Sequence, residues 1–288
     1  MKIYLDCWPC FMRQALSGAR RAGASDAQQH TVLLETLEQL KTLAQDATPP
    51  EMGNHIHRRV REITGDRDPY LEAKQEATAA ALAMQPRLEA VMQEAADPLE
   101  TAARLAIAGN IIDYGAAESF DLDATLERVL GAPFGIDGMA VLRRALERVD
   151  RVLYLADNAG ETVFDRVLIE ALGRPVTYAV KASPVLNDAT LEEARAAGIH
   201  QVAEIVDTGC DAMGAPLELC SQAFRERFEA ADLIIAKGQA SYETLSDVDA
   251  PVLFLLQAKC EVIADDLGVA TRSVVAKPSP HLAARFGG

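Results

Sequence analysis

Short apolar segments alternate with helical patterns through the second half of this 288-residue chain, and this alternation restricts the fold more than any other feature. Apolar runs that end in turn signals indicate buried strands, which we place at 149–156, 175–180, 200–206, 232–236, 251–256 and 273–276. Helical spacing fits between most of them, at 162–173, 189–197, 215–230 and 259–265. Such alternation is typical of an α/β fold with a mainly parallel sheet covered by helices on both faces.

The first part of the chain, from residue 11 to about residue 131, has an almost wholly helical pattern. It is rich in Ala, Leu, Gln and Glu, which are strong helix formers. Pro49 and Pro50 break the pattern, Gly65 closes the next helix, and Asp68-Pro69 is suited to start another,. We therefore predict a helical N-terminal domain or cap at 1–131 and an α/β domain at 132–288.

Composition excludes several classes of protein. A net charge of −15 argues against nucleic acid as the main partner, because phosphate backbones need clustered Lys and Arg. No apolar run has the length of a bilayer-spanning helix, so no membrane partner is expected. The N-terminus lacks a basic leader followed by an apolar core, which predicts a cytoplasmic protein. Five cysteines, an odd number, do not suggest a disulfide framework.

The first cysteines form a Cys7-Trp8-Pro9-Cys10 motif. This spacing suits a redox pair or half of a zinc site. No second Cys-x-x-Cys pair exists to complete a zinc site, and the spacing of His55 and His57 is not the usual one for ligands. We interpret the pair as two cysteines packed at the start of a helix, with metal or redox use as the alternative.

Polar side chains follow the predicted strands at their carboxyl ends. In a parallel sheet these ends meet at one edge, where ligands bind. Oxygen ligands such as Asp157, Asn158 and Asp188 suit a hard divalent cation, Lys237 could bind a phosphate, and Gly238 would let backbone N–H groups approach the same anion. Each residue alone also has a structural interpretation, since aspartates before helices are commonly N-caps and Lys237 could be a solvated lysine.

A glycine inside a helical pattern draws attention to the segment 108–115. Gly109 there costs roughly 1 kcal/mol relative to alanine, which indicates close packing or the approach of a ligand. Asn110 and Asp113 are three residues apart and share a helix face. The alternative is an ordinary helix C-terminus capped at Gly115. Gly-x-Gly-x-x-Gly and P-loop motifs are absent from the sequence, which argues against a dinucleotide enzyme and a P-loop NTPase.

Taken together, these motifs resemble the damage-control phosphatase family, also called acidic-residue-methyltransferase-like and formerly a domain of unknown function. The resemblance covers essentially the whole chain, and residues 237–245 depart from the family pattern at Ala240. The N-terminal Cys-x-x-Cys points to its stand-alone prokaryotic branch. The matching segments are 157–161, 186–190, 237–245, Cys7-x-x-Cys10 with Gln14, 65–70 and 109–113.

The resemblance implies a Rossmann-like α/β/α three-layer domain after the helical domain. It also implies a divalent-metal-dependent phosphatase (Mg, Mn, Co or Ni) that acts on small phosphorylated metabolites such as sugar phosphates or damaged phosphometabolites. The metal ligands would be Asp157, Asn158 and Asp188. We assign catalysis to Asp157, Asp188 and Lys237, and substrate binding to Asn110, Asp113, Ser183, Lys237 and Gly238.

The expected reaction is metal-assisted hydrolysis of a phosphomonoester, in which water or a carboxylate such as Asp157 attacks phosphorus. Two alternatives remain at this stage. One is an S-adenosylmethionine-dependent carboxyl methyltransferase, although the glycine-rich loop is missing. The other is a non-catalytic metal- or metabolite-binding protein. The substrate and the oligomeric state do not follow from the sequence.

Overall fold

The computed structural model describes residues 1–44, 46–111 and 122–287. The first part of the described chain is helical, as predicted. Its helices are α1 (Cys7–Arg21), α2 (Asp26–Thr42), α3 (Pro49–Thr64), α4 (Leu71–Ala83), α5 (Gln85–Gln93), α6 (Pro98–Ile111) and α7 (Leu122–Gly131).

Local sequence signals account for where these helices start and stop. Ser25 accepts a hydrogen bond from the backbone of Gln28 and closes a capping box at the start of α2,. Pro49 and Pro50, predicted as a break, occupy the first turn of α3, where a missing N–H costs nothing,. Gly65 ends α3 with a positive φ of 77°,.

The second part of the chain alternates strands and helices. Its strands are β1 (Phe134–Asp137), β2 (Val152–Leu155), β3 (Val176–Val180), β4 (Glu204–Asp207), β5 (Ile234–Lys237), β6 (Val252–Gln257) and β7 (Val274–Pro278). Its helices are α8 (Met139–Leu146), α9 (Thr162–Leu172), α10 (Leu191–Ala196), α11 (Gln222–Glu229), α12 (Gly238–Leu245), α13 (Glu261–Leu267) and α14 (Pro280–Phe286).

These strands form one sheet in the order β1-β7-β6-β5-β2-β3-β4. All neighbouring strands are parallel except β6 and β7, which are antiparallel. The mainly parallel α/β fold is therefore confirmed. The carboxyl ends of β2, β3 and β5 lie next to one another, because these strands are adjacent.

Some predicted boundaries were wrong. The segment Phe134–Asp137, for which no strand was predicted, forms β1, which pairs with β7 at the edge of the sheet. Four residues with alternating burial are too short a signal to separate from a loop. The strand predicted at 200–206 begins only at Glu204, after a short 3-10 turn. Helices α12 and α14 were not predicted.

The sheet has a hydrophobic core on each face. Alternate residues of β2 illustrate this, because Val152 and Tyr154 face one core and Leu153 and Leu155 face the other, as the period of a strand requires. Helices α6, α8, α9, α10 and α14 cover the first face, and α11, α12 and α13 cover the second. This arrangement is the three-layer α/β/α architecture.

The helical part divides between two cores. Helices α1, α2 and α3 enclose a separate small core, whereas α6 packs on α9 and shares the core of the sheet. The boundary predicted at residue 131 stays a prediction. In the described segments no helix is both long and apolar enough to cross a bilayer.

Gly109 explains how closely α6 approaches α9. A Cβ added at Gly109 would lie 2.9 Å from the Cβ atom of Phe164 on α9. No side chain larger than hydrogen fits there without moving one of the helices. The structure therefore supports close packing, and not the approach of a ligand, as the reason for this glycine. The close approach of α6 to α9 also brings the neighbouring Asn110 to the edge of the sheet.

Candidate metal and phosphate site

Two loops at the carboxyl edge of the sheet are joined by backbone hydrogen bonds. The Ala159 N–H donates to the Asn187 carbonyl and the Ala189 N–H to the Asp157 carbonyl, both at 2.8 Å. Asn158 and Asp188 form an isolated antiparallel bridge between the same loops. The three predicted metal ligands, which follow β2 and β3, are thereby held together.

A buried amide joins the carboxylates of Asp157 and Glu161. Asn110 Nδ2 donates to Asp157 Oδ2 at 2.6 Å and to Glu161 Oε2 at 2.7 Å. Asn158 Nδ2 donates to the same two oxygens at 3.2 and 3.1 Å. Because Asn158 uses its nitrogen for these contacts, Oδ1 is the atom of this amide that could act as a metal ligand,.

Lys237 lies beneath this group of carboxylates. Its side chain is fully buried, and Nζ donates to Glu161 Oε1 at 2.6 Å, Asp165 Oδ1 at 2.7 Å and the Ala106 carbonyl at 2.9 Å. An ammonium has three N–H groups, so its donors are fully used. Burial lowers the pKa of Lys237, but the carboxylates of Asp165 and Glu161 outweigh it and raise the pKa above its usual value.

Asp165 anchors Lys237 from the side of the core. The hydroxyl groups of Tyr154 and Tyr178 donate to its two oxygens at 2.6 and 2.7 Å. Burial raises the pKa of both tyrosines well above the usual value, so they remain donors. Asp165 therefore fixes the position of Lys237, and Lys237 in turn fixes the position of Glu161.

Asp188 is buried and incompletely paired. Its Oδ2 atom lies 3.6 Å from Lys181 Nζ, which is beyond hydrogen-bonding distance, and it accepts no hydrogen bond from the described residues. Asn110 Oδ1 is also buried, and no described residue donates a hydrogen bond to it. Unpaired buried oxygens are costly, so each is a place where a bound cation or ligand would supply the missing interaction.

Negative charge is in excess at this edge of the sheet. Among the described residues, the carboxyl groups of Asp157, Glu161, Asp165, Asp188 and Glu243 are buried, and the buried ammonium groups near them are those of Lys181 and Lys237, with the N-terminal ammonium beside Glu243. Burial raises the pKa of Asp157 to about 6 and that of Asp188 to about 8. Burial likewise raises the pKa of Glu243 to about 7. A divalent cation is the chemistry that balances such a surplus.

No group of three or more His, Cys, Asp or Glu side chains in the described part of the chain is arranged to hold a metal ion. The candidate set differs from such a group because it combines the carboxylates of Asp157 and Asp188 with the amide of Asn158. Oxygen donors of this mixed kind fit Mg²⁺ and similar ions, which use one or two protein carboxylates together with water and substrate.

Gly238 brings α12 against Asp157. This residue has a φ of 77°, and an added Cβ would lie 1.9 Å from Asp157 Oδ2. The anion that approaches Gly238 is thus the Asp157 carboxylate. We expect Gly238→Ala to displace Asp157, abolish activity and cost more than the roughly 1–2 kcal/mol of a left-handed alanine, measured by urea unfolding and phosphate release.

Gly268→Ala is the matched control for that variant. Gly268 also has a positive φ, of 69°, but no atom lies within 4 Å of its added Cβ. In this control the left-handed alanine should lower the free energy of unfolding by the same roughly 1–2 kcal/mol, while activity stays at the wild-type level. Equal activity of the two variants would contradict the proposed position of Asp157.

The remaining predicted residues have different surroundings. Ser183 is exposed on the loop after β3, and Asp113 lies outside the described residues. Lys259, which was not assigned a role, is exposed after β6, and its charge opposes the rise in the pKa of Asp157. Within the described segments Lys259 has no ion pair, so its ammonium is open to a ligand at this edge.

A cavity of about 400 Å³ adjoins the site. It lies between α1, the start of α3, α12 and the loop after β6, and Gln239 in its wall directly follows Gly238. Its lining includes the polar side chains of Gln14, Gln239 and Glu243 and the thiols of Cys7, Cys10 and Cys260. The cysteine motif therefore lies beside the candidate site.

Sequence reasoning missed Glu161 and Asp165 as parts of the site. A usable signal existed, because Glu161, at the N-cap of α9, and Asp165 stand four residues apart and therefore lie on the same side of the start of the helix,. Lys181, which follows β3, was not predicted as part of the site either. The structure places it between Asp188 and the Gly214 carbonyl, to which Nζ donates.

The fold and site define an α/β protein with a buried, acidic, oxygen-rich group of side chains at the carboxyl edge of a mainly parallel sheet. Residues 3–275 match the family model of the damage-control phosphatase ARMT1-like domain. The chain belongs to this family.

Relatives and a solved structure agree with this assignment. A damage-control phosphatase of Pyrococcus horikoshii is 33% identical over 282 residues, which cover 96% of this chain and 97% of that protein. A damage-control phosphatase of Archaeoglobus fulgidus is 37% identical, with 83% of this chain and 87% of that protein covered. The crystal structure of a DUF89 family protein from P. horikoshii has a TM-score of 0.87 at 30% identity and covers 97% of this chain and 99% of that one. The relatives' names support a phosphatase role for this chain.

Proposed function

We propose that this protein is a divalent-metal-dependent phosphatase that hydrolyses small phosphorylated metabolites, such as sugar phosphates or damaged phosphometabolites. The main observation behind this proposal is the buried set of Asp157, Asn158 and Asp188, whose charge is incompletely balanced and whose Asp188 Oδ2 lacks a hydrogen-bond partner. The N-terminal Cys-x-x-Cys further suggests the stand-alone prokaryotic branch of the family.

The proposed metal ligands are the oxygens of Asp157, Asn158 and Asp188, for Mg²⁺, Mn²⁺, Co²⁺ or Ni²⁺. A cation bound there would supply a Lewis acid that polarises a phosphoryl oxygen. Asn110 orients Asp157 by donating to its Oδ2 atom. Glu161, held by Lys237, orients the amide of Asn158. These neighbours fix the ligands in position, because a hydrogen bond to a metal-binding side chain sets its orientation.

Lys237 is proposed as a positioning residue instead of a phosphate ligand, since its three donors are used within the protein. Lys259 is the better candidate for phosphate binding, because it is exposed and lies near enough to influence Asp157. A fixed ammonium beside the transferred phosphoryl group would offset charge on its oxygens. The cavity lined by Gln14, Gln239 and Glu243 would hold the rest of the substrate.

Removal and return of metal test this function. We expect the chelated protein to release no phosphate from p-nitrophenyl phosphate or a sugar-phosphate panel, and Mg²⁺, Mn²⁺, Co²⁺ or Ni²⁺ to restore release. The panel would begin to define the substrate. Absence of release with every one of these metals would contradict the proposal.

Lys259→Met tests the proposed phosphate contact. A hydrogen bond to a charged group contributes about 1.5–3 kcal/mol, so we expect KM for a phosphomonoester to rise about tenfold or more. Lys259→Arg keeps the charge and should retain most of the affinity. Steady-state kinetics would show the difference, and an unchanged KM in Lys259→Met would exclude this contact.

A further inference from the structure

A pair of thiols lies on the loop of residues 208–220, which connects β4 to α11. The sulfur atoms of Cys210 and Cys220 are 3.9 Å apart. Neither residue has a part in the proposed hydrolysis. Cys220 is buried, whereas Cys210 is half-buried and therefore accessible to a small reagent.

Polar groups surround the sulfur of Cys210. The Cys220 sulfur, whose thiol donates to the Pro216 carbonyl at 3.3 Å, lies 3.9 Å from it. The Thr208 hydroxyl lies 3.5 Å away, and the backbone N–H of Ala212 donates to the Cys210 sulfur. Donors of this kind stabilise a thiolate. The contact from Cys220, with these further donors, lowers the pKa of Cys210 to about 6. Contact with Cys210 and burial raise the pKa of Cys220 far above the usual value.

The two cysteines therefore differ in the way that a reactive and a resolving thiol differ. Cys210 is half-buried and is the thiol that a small oxidant can reach, and the Cys220 sulfur lies 3.9 Å from it. By contrast, burial raises the pKa of Cys7 in the N-terminal motif, which makes that thiol less reactive. The motif that the sequence singled out is thus not the more activated pair.

The loop of residues 208–220 is also connected to the candidate site. Lys181, which faces Asp188, donates to the Gly214 carbonyl of this loop. The Met213 N–H donates to Asn54 Oδ1 of α3 at 2.8 Å, and Asp211 forms ion pairs with Arg58 and Arg61 of α3. A change in the loop therefore reaches both the helical part and Lys181.

We propose that Cys210 and Cys220 form a reversible disulfide on reaction with a peroxide. The Cys210 thiolate attacks one peroxide oxygen, the O–O bond breaks, and Cys210 becomes a sulfenic acid while water leaves after protonation. The Cys220 thiol then attacks the Cys210 sulfur, the S–S bond forms and the S–O bond breaks, which releases the second water. The two thiols lose two electrons and the peroxide gains them.

Geometry permits this reaction with a small movement, since the sulfurs must approach from 3.9 Å to about 2.05 Å. That movement would pull on the segment between the cysteines, which includes Gly214. We therefore propose that oxidation lowers phosphatase turnover through Lys181. This last step rests on the proposed function.

Peptide mapping of the oxidised native protein tests the disulfide. The protein is treated with hydrogen peroxide, blocked with N-ethylmaleimide, denatured and cleaved after glutamate. Because Glu218 lies between the two cysteines, cleavage separates them unless a disulfide joins the peptides. We expect the joined peptides in the wild type, and in Cys220→Ser a Cys210 sulfenic acid that dimedone traps.

Two outcomes would overturn the disulfide. One is labelling of both Cys210 and Cys220 by N-ethylmaleimide after a peroxide treatment that does oxidise another thiol of the chain. The other is irreversible oxidation of Cys210 without a link to Cys220.

Activity provides an independent readout. We expect peroxide to lower phosphate release several-fold and dithiothreitol to restore it, whereas Cys210→Ser should not respond. A disulfide that forms without changing the rate would overturn the connection through Lys181. If the unoxidised protein releases no phosphate, the proposed function fails while the mapping result still decides on the disulfide.

Discussion

Asp188→Asn is expected to lower phosphomonoester hydrolysis by at least about 10²-fold, because loss of outer-shell partners alone costs 10–100-fold in metal affinity or activity. The substitution keeps the shape of the side chain and removes its charge. The protein without metal should be no less stable than the wild type, since a poorly compensated buried carboxyl is removed,. Phosphate release, Mn²⁺ titration calorimetry and thermal unfolding measure the three effects.

Asp207→Asn is the matched control for this variant. Asp207 is the last residue of β4, the neighbour of β3 in the sheet, and its Oδ1 atom accepts the Gly209 N–H at 2.9 Å. This variant should keep its metal affinity and turnover. If Asp188→Asn instead hydrolyses substrate at the wild-type rate, Asp188 does not bind the metal.

Lys237→Met is expected to cause the largest loss of stability. The ammonium compensates Glu161 and Asp165, and all three side chains are fully buried. Removing one partner of a buried ion pair costs about 3–5 kcal/mol. We therefore expect a fall of several kilocalories per mole in the free energy of unfolding measured in urea, together with loss of activity.

A compensating substitution separates this structural role from a contact with phosphate. Asp165→Asn in the Lys237→Met background removes one of the two unpaired carboxylates and should recover part of the lost stability. Lys237→Met with wild-type stability and a raised KM would instead support the phosphate contact that the sequence suggested. The two roles therefore give opposite results in the unfolding experiment.

The grouping of Asp157, Asn158 and Asp188 could be expected from the sequence, because it depends on one rule. Each follows a buried strand, and the carboxyl ends of adjacent parallel strands share an edge. The rule also requires β2 and β3 to be neighbours in the sheet, and strands that follow one another in the chain commonly are. This rule concerns the positions of strand ends, so it applies without knowledge of the length or direction of any side chain.

The position of Lys237 shows where that reasoning stops. It stands at the end of β5, as predicted, but its side chain extends inward to Glu161 and Asp165. Which way a strand-end side chain extends depends on the partners beneath it, and these come from α9, in a different part of the chain. For similar reasons the strand β1, which is stabilised by pairing with β7, gave no local signal.

The approach of α6 to α9 at Gly109 means that the protein cannot be shortened to its sheet. Helix α6 supplies the Asn110 amide between Asp157 and Glu161, and its Ala106 carbonyl accepts a hydrogen bond from Lys237. A fragment of residues 132–288 would leave those donors and acceptors exposed. The proposed site therefore includes a helix from the N-terminal half, and grafting a different helical part onto the sheet would have to reproduce both groups.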